Sequence, residues 1–147
     1  MTPPDQPAKH SVSVAAAIVD DSGRFLAIRR ADNGRWEPPG GVLELDESIE
    51  EGLVREVAEE TGLRVEPVAL TGVYKNMKRG IVALVFRCAI VGHTANTRGE
   101  VDDIQWLAPE ELSRMSEAYR IRLLDALDSP SPRVRAHDGT KLLDQRR

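Results

Sequence analysis

Three glutamates, Glu56, Glu59 and Glu60, crowd into five consecutive residues of the stretch GVLELDESIEEGLVREVAEETGL, residues 41 to 63. On a helix their side chains fall within about 100° of arc, one stripe of like charge. Such neighbours repel by a few tenths of a kcal/mol per pair in water, and by more where water is excluded, so the stripe asks for a cation. Carboxylates with no His or Cys among them suit a hard divalent ion, Mg²⁺ or Mn²⁺, rather than zinc. An ion of that kind offsets charge on phosphoryl oxygens and lowers the pKa of an attacking water, while a carboxylate in reach takes the proton. The competing reading is a solvated acidic helix face, which would show no specific metal site.

The element that must position these groups reads as a helix from Asp46 or Ser48 to Thr61. Ile49, Leu53 and Val57 recur at four-residue steps with Val54 nearby, an apolar stripe for a core, and Glu60 lies on its edge. Gly52, one turn before Glu56, is expected to leave room for a metal or substrate, at a helix cost of about 1 kcal/mol relative to Ala. Arg55 has Glu51 a turn before it and Glu59 a turn after it, a placement that orients Glu59. Gly62 supplies a left-handed cap with Leu63 packing back on the last turn, and Pro38, Pro39, Gly40 and Gly41 form an irregular turn ahead of the helix.

Written out, the pattern is Gly41, five residues, Glu47, seven residues, then Arg55-Glu56-Val57-x-Glu59-Glu60-x-Gly62-Leu63. It resembles the Nudix box at every specified position. The resemblance implies an α/β Nudix fold, a mixed β-sheet sandwiched between α-helices, and hydrolysis of a small-molecule nucleotide with Mg²⁺ (or Mn²⁺) as cofactor. It implies Glu59 and Glu60 chiefly as metal ligands, Glu56 as ligand or base, Arg55 and Glu47 as orienting residues, and the carbonyl of Gly40 in the metal shell. In similar proteins an acidic residue some six positions before a strand tryptophan often adds a metal ligand or base. Glu100 stands there relative to Trp106, with Asp102 or Asp103 as substitutes.

The box does not identify the group attached to the nucleoside diphosphate. Signatures of members acting on NADH or coenzyme A are not apparent, nor is the proline of many ADP-ribose members. Nucleoside triphosphates, oxidised triphosphates, ADP-ribose and nucleotide sugars stay open. Some proteins of this fold are sensors that bind a nucleotide without hydrolysing it; an intact box argues against that, because three mutually repelling glutamates serve no purpose there.

With 147 residues and 41% hydrophobic content the chain is expected to form one domain, residues 11 to 128, behind a polar, proline-rich lead-in at 1 to 10. The lead-in has no apolar run of a signal peptide and no stretch spans a bilayer, so no membrane partner is expected. A net charge of -4 leaves no basic footprint for a nucleic-acid polymer. The single Cys88 excludes an internal disulfide framework and reads as a buried strand thiol in a reducing, cytoplasmic setting. Homodimers are frequent among the proteins it resembles; the sequence neither requires nor excludes one.

Along the chain, Ser11 to Val19 and Arg24 to Arg30 read as a β-hairpin, with Arg29 and Arg30 at its end as candidate phosphate contacts. Trp36 reads as packing under the box. Val65 to Val73 and Ile81 to Val91 are expected as central strands joined by a basic turn, Tyr74 to Gly80. Tyr74 there is a candidate for stacking on a base, with a core role as the alternative, and Lys75, Lys78 and Arg79 are candidates for drawing in a polyphosphate, with a solvated hairpin tip as the alternative. Helices over Pro109 to Leu127 close the other side of the sheet. Residues 129 to 147 surround no obvious apolar core and are expected as a loose or partner-docked tail.

Overall fold

The helix that carries the glutamates begins where its first turn can be capped. Ser48 accepts from the Glu51 N–H and Glu51 reaches back to the Ser48 N–H, a reciprocal capping box that satisfies two otherwise unpaired donors. In the computed structural model, which describes residues 6–95, 101–128 and 130–143, this helix, α1, spans Ile49–Thr61. It stops at Gly62, whose φ of 74° is left-handed and whose N–H donates to the Ala58 carbonyl. Gly52, Leu53, Val57 and Glu60 form its buried face. Ile49, expected in that stripe, is largely exposed at the helix's first residue.

Two sheets receive the rest of the chain. Strands β1 (Ser11–Ala17), β4 (Gly40–Val42), β5 (Leu63–Asn76), β6 (Ile81–His93) and β8 (Arg133–His137) form a five-stranded sheet in the order β4-β1-β6-β5-β8. It is mixed: β1 runs parallel to β6 and β8 parallel to β5, while β4–β1 and β5–β6 are antiparallel. Strands β2 (Phe25–Arg30), β3 (Trp36–Glu37) and β7 (Val101–Leu107) make a smaller antiparallel sheet in the order β3-β2-β7. A 3₁₀ turn at Pro109–Arg114 leads into α2, Glu117–Asp128.

Alternation along each strand splits the core into two layers. Val14, Ala16, Val65 and Cys88 face Leu53 and Val57 of α1. Ala15, Tyr74, Ala83 and Val85 face Leu123 and Ala126 of α2, with Phe25, Leu107 and Leu112. The sheet is thus sandwiched between helices as expected, and Cys88 is a buried free thiol.

Three expectations change. β1 and β2 do not form a hairpin: after a single bridge, Val19 to Phe25, they part into different sheets, because β1 finds β4 and β6 and β2 finds β3 and β7. Residues Tyr74–Asn76 belong to β5 rather than to the turn, since Tyr74 continues the core-facing alternation. The stretch expected as a tail supplies, over Arg133–His137, an edge strand of the main sheet. Arg135 fastens it, giving two hydrogen bonds to Asp125 of α2 at 2.7 and 2.8 Å, and Asp125 also accepts from the Tyr74 hydroxyl at 2.7 Å.

Candidate active site

Two consecutive glycines meet two of the glutamates. The Gly40 N–H donates to Glu60 Oε1 at 2.8 Å. The Glu56 carboxylate lies so close against Gly41 that a Cβ there would collide with it, so the absent side chain is the space that Glu56 fills. Gly40 is equally constrained from the other side, where a Cβ would run into the backbone of Val14 and Ala15 in β1. Gly40 therefore fits against β1 only as glycine, whereas a side chain at Gly41 would displace the Glu56 carboxylate.

Arg55 organises the remaining carboxylates. Its guanidinium binds Glu47 through two hydrogen bonds, 2.9 Å from Nε and 2.7 Å from Nη2, and reaches Glu59 at 2.8 Å and Glu56 at 3.4 Å through Nη1. The charge-assisted fork explains why the Glu47 carboxyl is held down at about 2: Arg55 hydrogen bonding leads, helped by the Glu44 N–H. Gly52 serves this clamp. The room expected there for a metal or substrate is filled by the Leu43 and Glu47 side chains, which a Cβ at Gly52 would strike.

Glu60 behaves oppositely. Burial pushes its carboxyl up to about 8 against the lowering effect of the Gly40 N–H, and the nearby charges of Glu56 and Glu37 push it further. It lines, with Arg30, Ala31 and Asp32, an open cleft of about 550 Å³. Among the described residues, no three His, Cys, Asp or Glu side chains converge as a ready-made metal cage. Glu59 is turned onto Arg55 and Glu60 onto Gly40, so each has a protein donor.

The other expected residues separate. Arg30 borders the cleft and is tied to Asp32 at 2.7 Å and to Glu37 at 3.5 Å. Arg29 points elsewhere, paired with Asp102 at 2.8 Å and set over the Trp36 ring at 5.7 Å. Tyr74 is fully buried and takes the core role; no base can stack on it. Lys75, one residue on, points to the opposite sheet face from Tyr74 and lines no cavity described here. Asp103 is occupied with Gln105 and the Ile104 N–H. Glu100 lies outside the described residues.

Sequence reasoning missed a second cavity of about 270 Å³, bordered by Gly40 and Gly41. Arg30, Glu37, Asn76, Arg79, Arg122 and His137 supply its polar lining. Glu37 is buried, which raises its carboxyl pKa against the opposing pull of Arg30. One signal was available: Arg122 interrupts the apolar side of α2, three residues after Tyr119 and four before Ala126.

The NUDIX domain family matches residues 9–127. The chain is 62% identical over 138 residues to a MutT-like protein of Streptomyces ambofaciens, covering 93% of this chain and 90% of that one. It is 27% identical over 114 residues to an ADP-ribose pyrophosphatase of Methanocaldococcus jannaschii, covering 73% and 68% respectively. Among solved structures, a MutT NUDIX hydrolase from Burkholderia pseudomallei superposes with a TM-score of 0.70 at 30% identity, over 80% of this chain and 98% of that chain.

Proposed function

Because the chain belongs to the Nudix family and is a hydrolase of that family, we propose that it is a Mg²⁺-dependent pyrophosphohydrolase. Its substrate in this reading is a nucleoside diphosphate linked to another moiety, as in a nucleoside triphosphate, an oxidised triphosphate, ADP-ribose or a nucleotide sugar. The observation that carries the reading is the seating of Glu56 and Glu60 on Gly41 and Gly40, with Glu59 clamped by Arg55, beside an open cleft.

The donor set fits a hard divalent ion. Glu56, Glu59 and Glu60 offer only oxygen, and burial raises the Glu60 carboxyl to about 8, a cost that a bound cation would relieve. Glu59 and Glu60 would hold the ion with Glu56 and the Gly40 carbonyl, and Glu100 as a further ligand. Bound there, Mg²⁺ would lower the pKa of the attacking water and offset charge on the phosphoryl oxygens. Water oxygen forms the new bond to phosphorus, the anhydride P–O bond breaks, and the proton passes to a carboxylate, for which Glu56 is the candidate. Arg55, bonded to both Glu59 and Glu47, would act as their orienting residue. Arg30, bordering the cleft with Glu60, would meet a substrate phosphate in this reading. The lone buried thiol of Cys88 suits a cytoplasmic setting, and no helix among the described residues is long and apolar enough to cross a membrane.

The test is a Mg²⁺- and Mn²⁺-dependent screen against the four substrate classes with product identification, alongside Glu59→Gln and Glu60→Gln. Turnover of one class, lowered by several orders of magnitude in the variants with the fold intact, supports the reading. A double variant that keeps metal-dependent activity sinks it. Metal and nucleotide binding without turnover would favour a non-catalytic nucleotide sensor.

A further inference from the structure

The cavity that Gly40 and Gly41 border carries Arg122, His137 and Arg79 among apolar lining residues such as Val14 and Ile81. Arg122 is more than nine-tenths buried, and its guanidinium is sandwiched between two rings, 5.3 Å from the centroid of Tyr74 and 4.7 Å from that of Tyr119. Among the described residues its buried Nε finds no acceptor. Its Nη2 lies 3.4 Å from His137 Nε2, a contact that looks like a hydrogen bond until the other side of the imidazole is considered.

His137 Nδ1 accepts from the Gly139 N–H at 2.9 Å. A neutral imidazole has one N–H and one acceptor, so accepting at Nδ1 puts the proton on Nε2. Burial and the adjacent guanidinium both lower the His137 pKa and keep the ring neutral. Arg122 Nη2 and His137 Nε2 are then two donors side by side, with nothing between them to accept. Buried donors are rarely left so, and each unpaired one costs roughly 1–3 kcal/mol.

The remaining lining has the same sign. Arg79 and Arg30 border the cavity with the Asn76 side chain, against the single carboxyl of Glu37. Tyr119, the aromatic residue in the cavity lining, already has Arg122 over its ring. The structure thus favours an acceptor-rich anion over a stacked ring.

We infer that Arg122 and His137, with Arg79 at the mouth, form a subsite for a phosphate-class oxyanion of the substrate, one beyond the phosphates undergoing hydrolysis. Its oxygens would accept from Arg122 and His137 Nε2 together, resolving the clash of donors. The inference rests on the hydrolase reading for the word substrate, though the anion site itself does not depend on turnover. It also gives β8 a role, since His137 comes from that strand, outside residues 9–127 of the family match.

The test uses metal-free full-length protein and inorganic phosphate and pyrophosphate as probes, followed by calorimetry and by the His137 imidazole resonances. Binding that perturbs Nε2 is expected, weakened tenfold or more in Arg122→Met and in Arg79→Ser, and less than twofold in Lys78→Ser, an exposed control of equal charge change. Arg79 is exposed, so its variant keeps the test valid if Arg122→Met fails to fold. Absence of binding by the metal-free wild type, or binding undiminished in a folded Arg79→Ser, overturns the subsite. Anion binding with no hydrolysis of any substrate leaves the subsite standing and removes the hydrolase reading; hydrolysis without anion binding does the reverse.

Discussion

Arg55 donates to both carboxylate oxygens of Glu47 and, from the same guanidinium, to Glu59 one turn further along α1. A residue ahead of the helix is thereby tied to one in its last turn, and the guanidinium that grips Glu47 also helps to orient Glu59. Arg55→Ala is expected to lower kcat by at least 10²-fold and stability by roughly 2 kcal/mol, the range for charge-assisted hydrogen bonds. Arg55→Lys should recover little of either, because an ammonium cannot reproduce the fork. Urea unfolding and steady-state kinetics on both variants check this.

The two glycines of the turn should fail differently. Gly41→Ala places a methyl in the space of the Glu56 carboxylate, so activity should fall 10²-fold or more with little change in Tm. Gly40→Ala strikes the backbone of β1, so it should destabilise the fold by about 2 kcal/mol or more. Equal loss of Tm in both would show that the Glu56 contact is not specific.

Stability without metal should depend on pH through Glu60. Its folded value, about 8, lies above the ordinary 4.5, so between those values the folded state holds a proton that the unfolded chain has released. Its contribution is fully present below pH 4.5 and is lost as pH rises through 8. Metal-free protein should therefore lose a few kcal/mol at most over that window, roughly the linkage of a carboxyl raised from 4.5 to about 8. Glu60→Gln should flatten that part of the curve. Chemical denaturation at stepped pH with chelator present decides it, and a wild type no steeper than the variant would contradict it.

Tyr74→Phe removes the hydroxyl that donates to Asp125 but keeps the ring under Arg122. Asp125 retains both Arg135 bonds, so the expected loss is about 1–2 kcal/mol of stability with KM unchanged. A large rise in KM would return Tyr74 to the substrate site.

The helix and its caps were legible because local chemistry decides them. Ser48, Glu51 and Gly62 act within a turn or two of where they stand. Less legible was whatever depended on distant pairing. The turn residues Asp20 to Gly23 suggested a hairpin equally well whether or not the following strands stay together, and only the competition from β4, β6, β3 and β7 separates them. Arg135 and His137 looked like part of a polar tail because the residues they meet, Asp125 and Arg122, lie on α2. Gly52 was read as an opening since the sequence cannot show that Leu43 and Glu47 close it.

The mixed order of the main sheet bears on how the protein comes to be folded. The long antiparallel pair β5–β6 is local and can form early, whereas β1 must travel from before α1 to lie parallel beside β6. Non-local parallel pairings are slow, because loop-closure entropy is lost before contacts repay it. The Gly40-Gly41 turn is wedged between β1 and α1, so it cannot be set until β1 has docked. Refolding should accordingly restore helix and hairpin signals first and hydrolytic competence afterwards, with the glutamates brought into register as one of the last events.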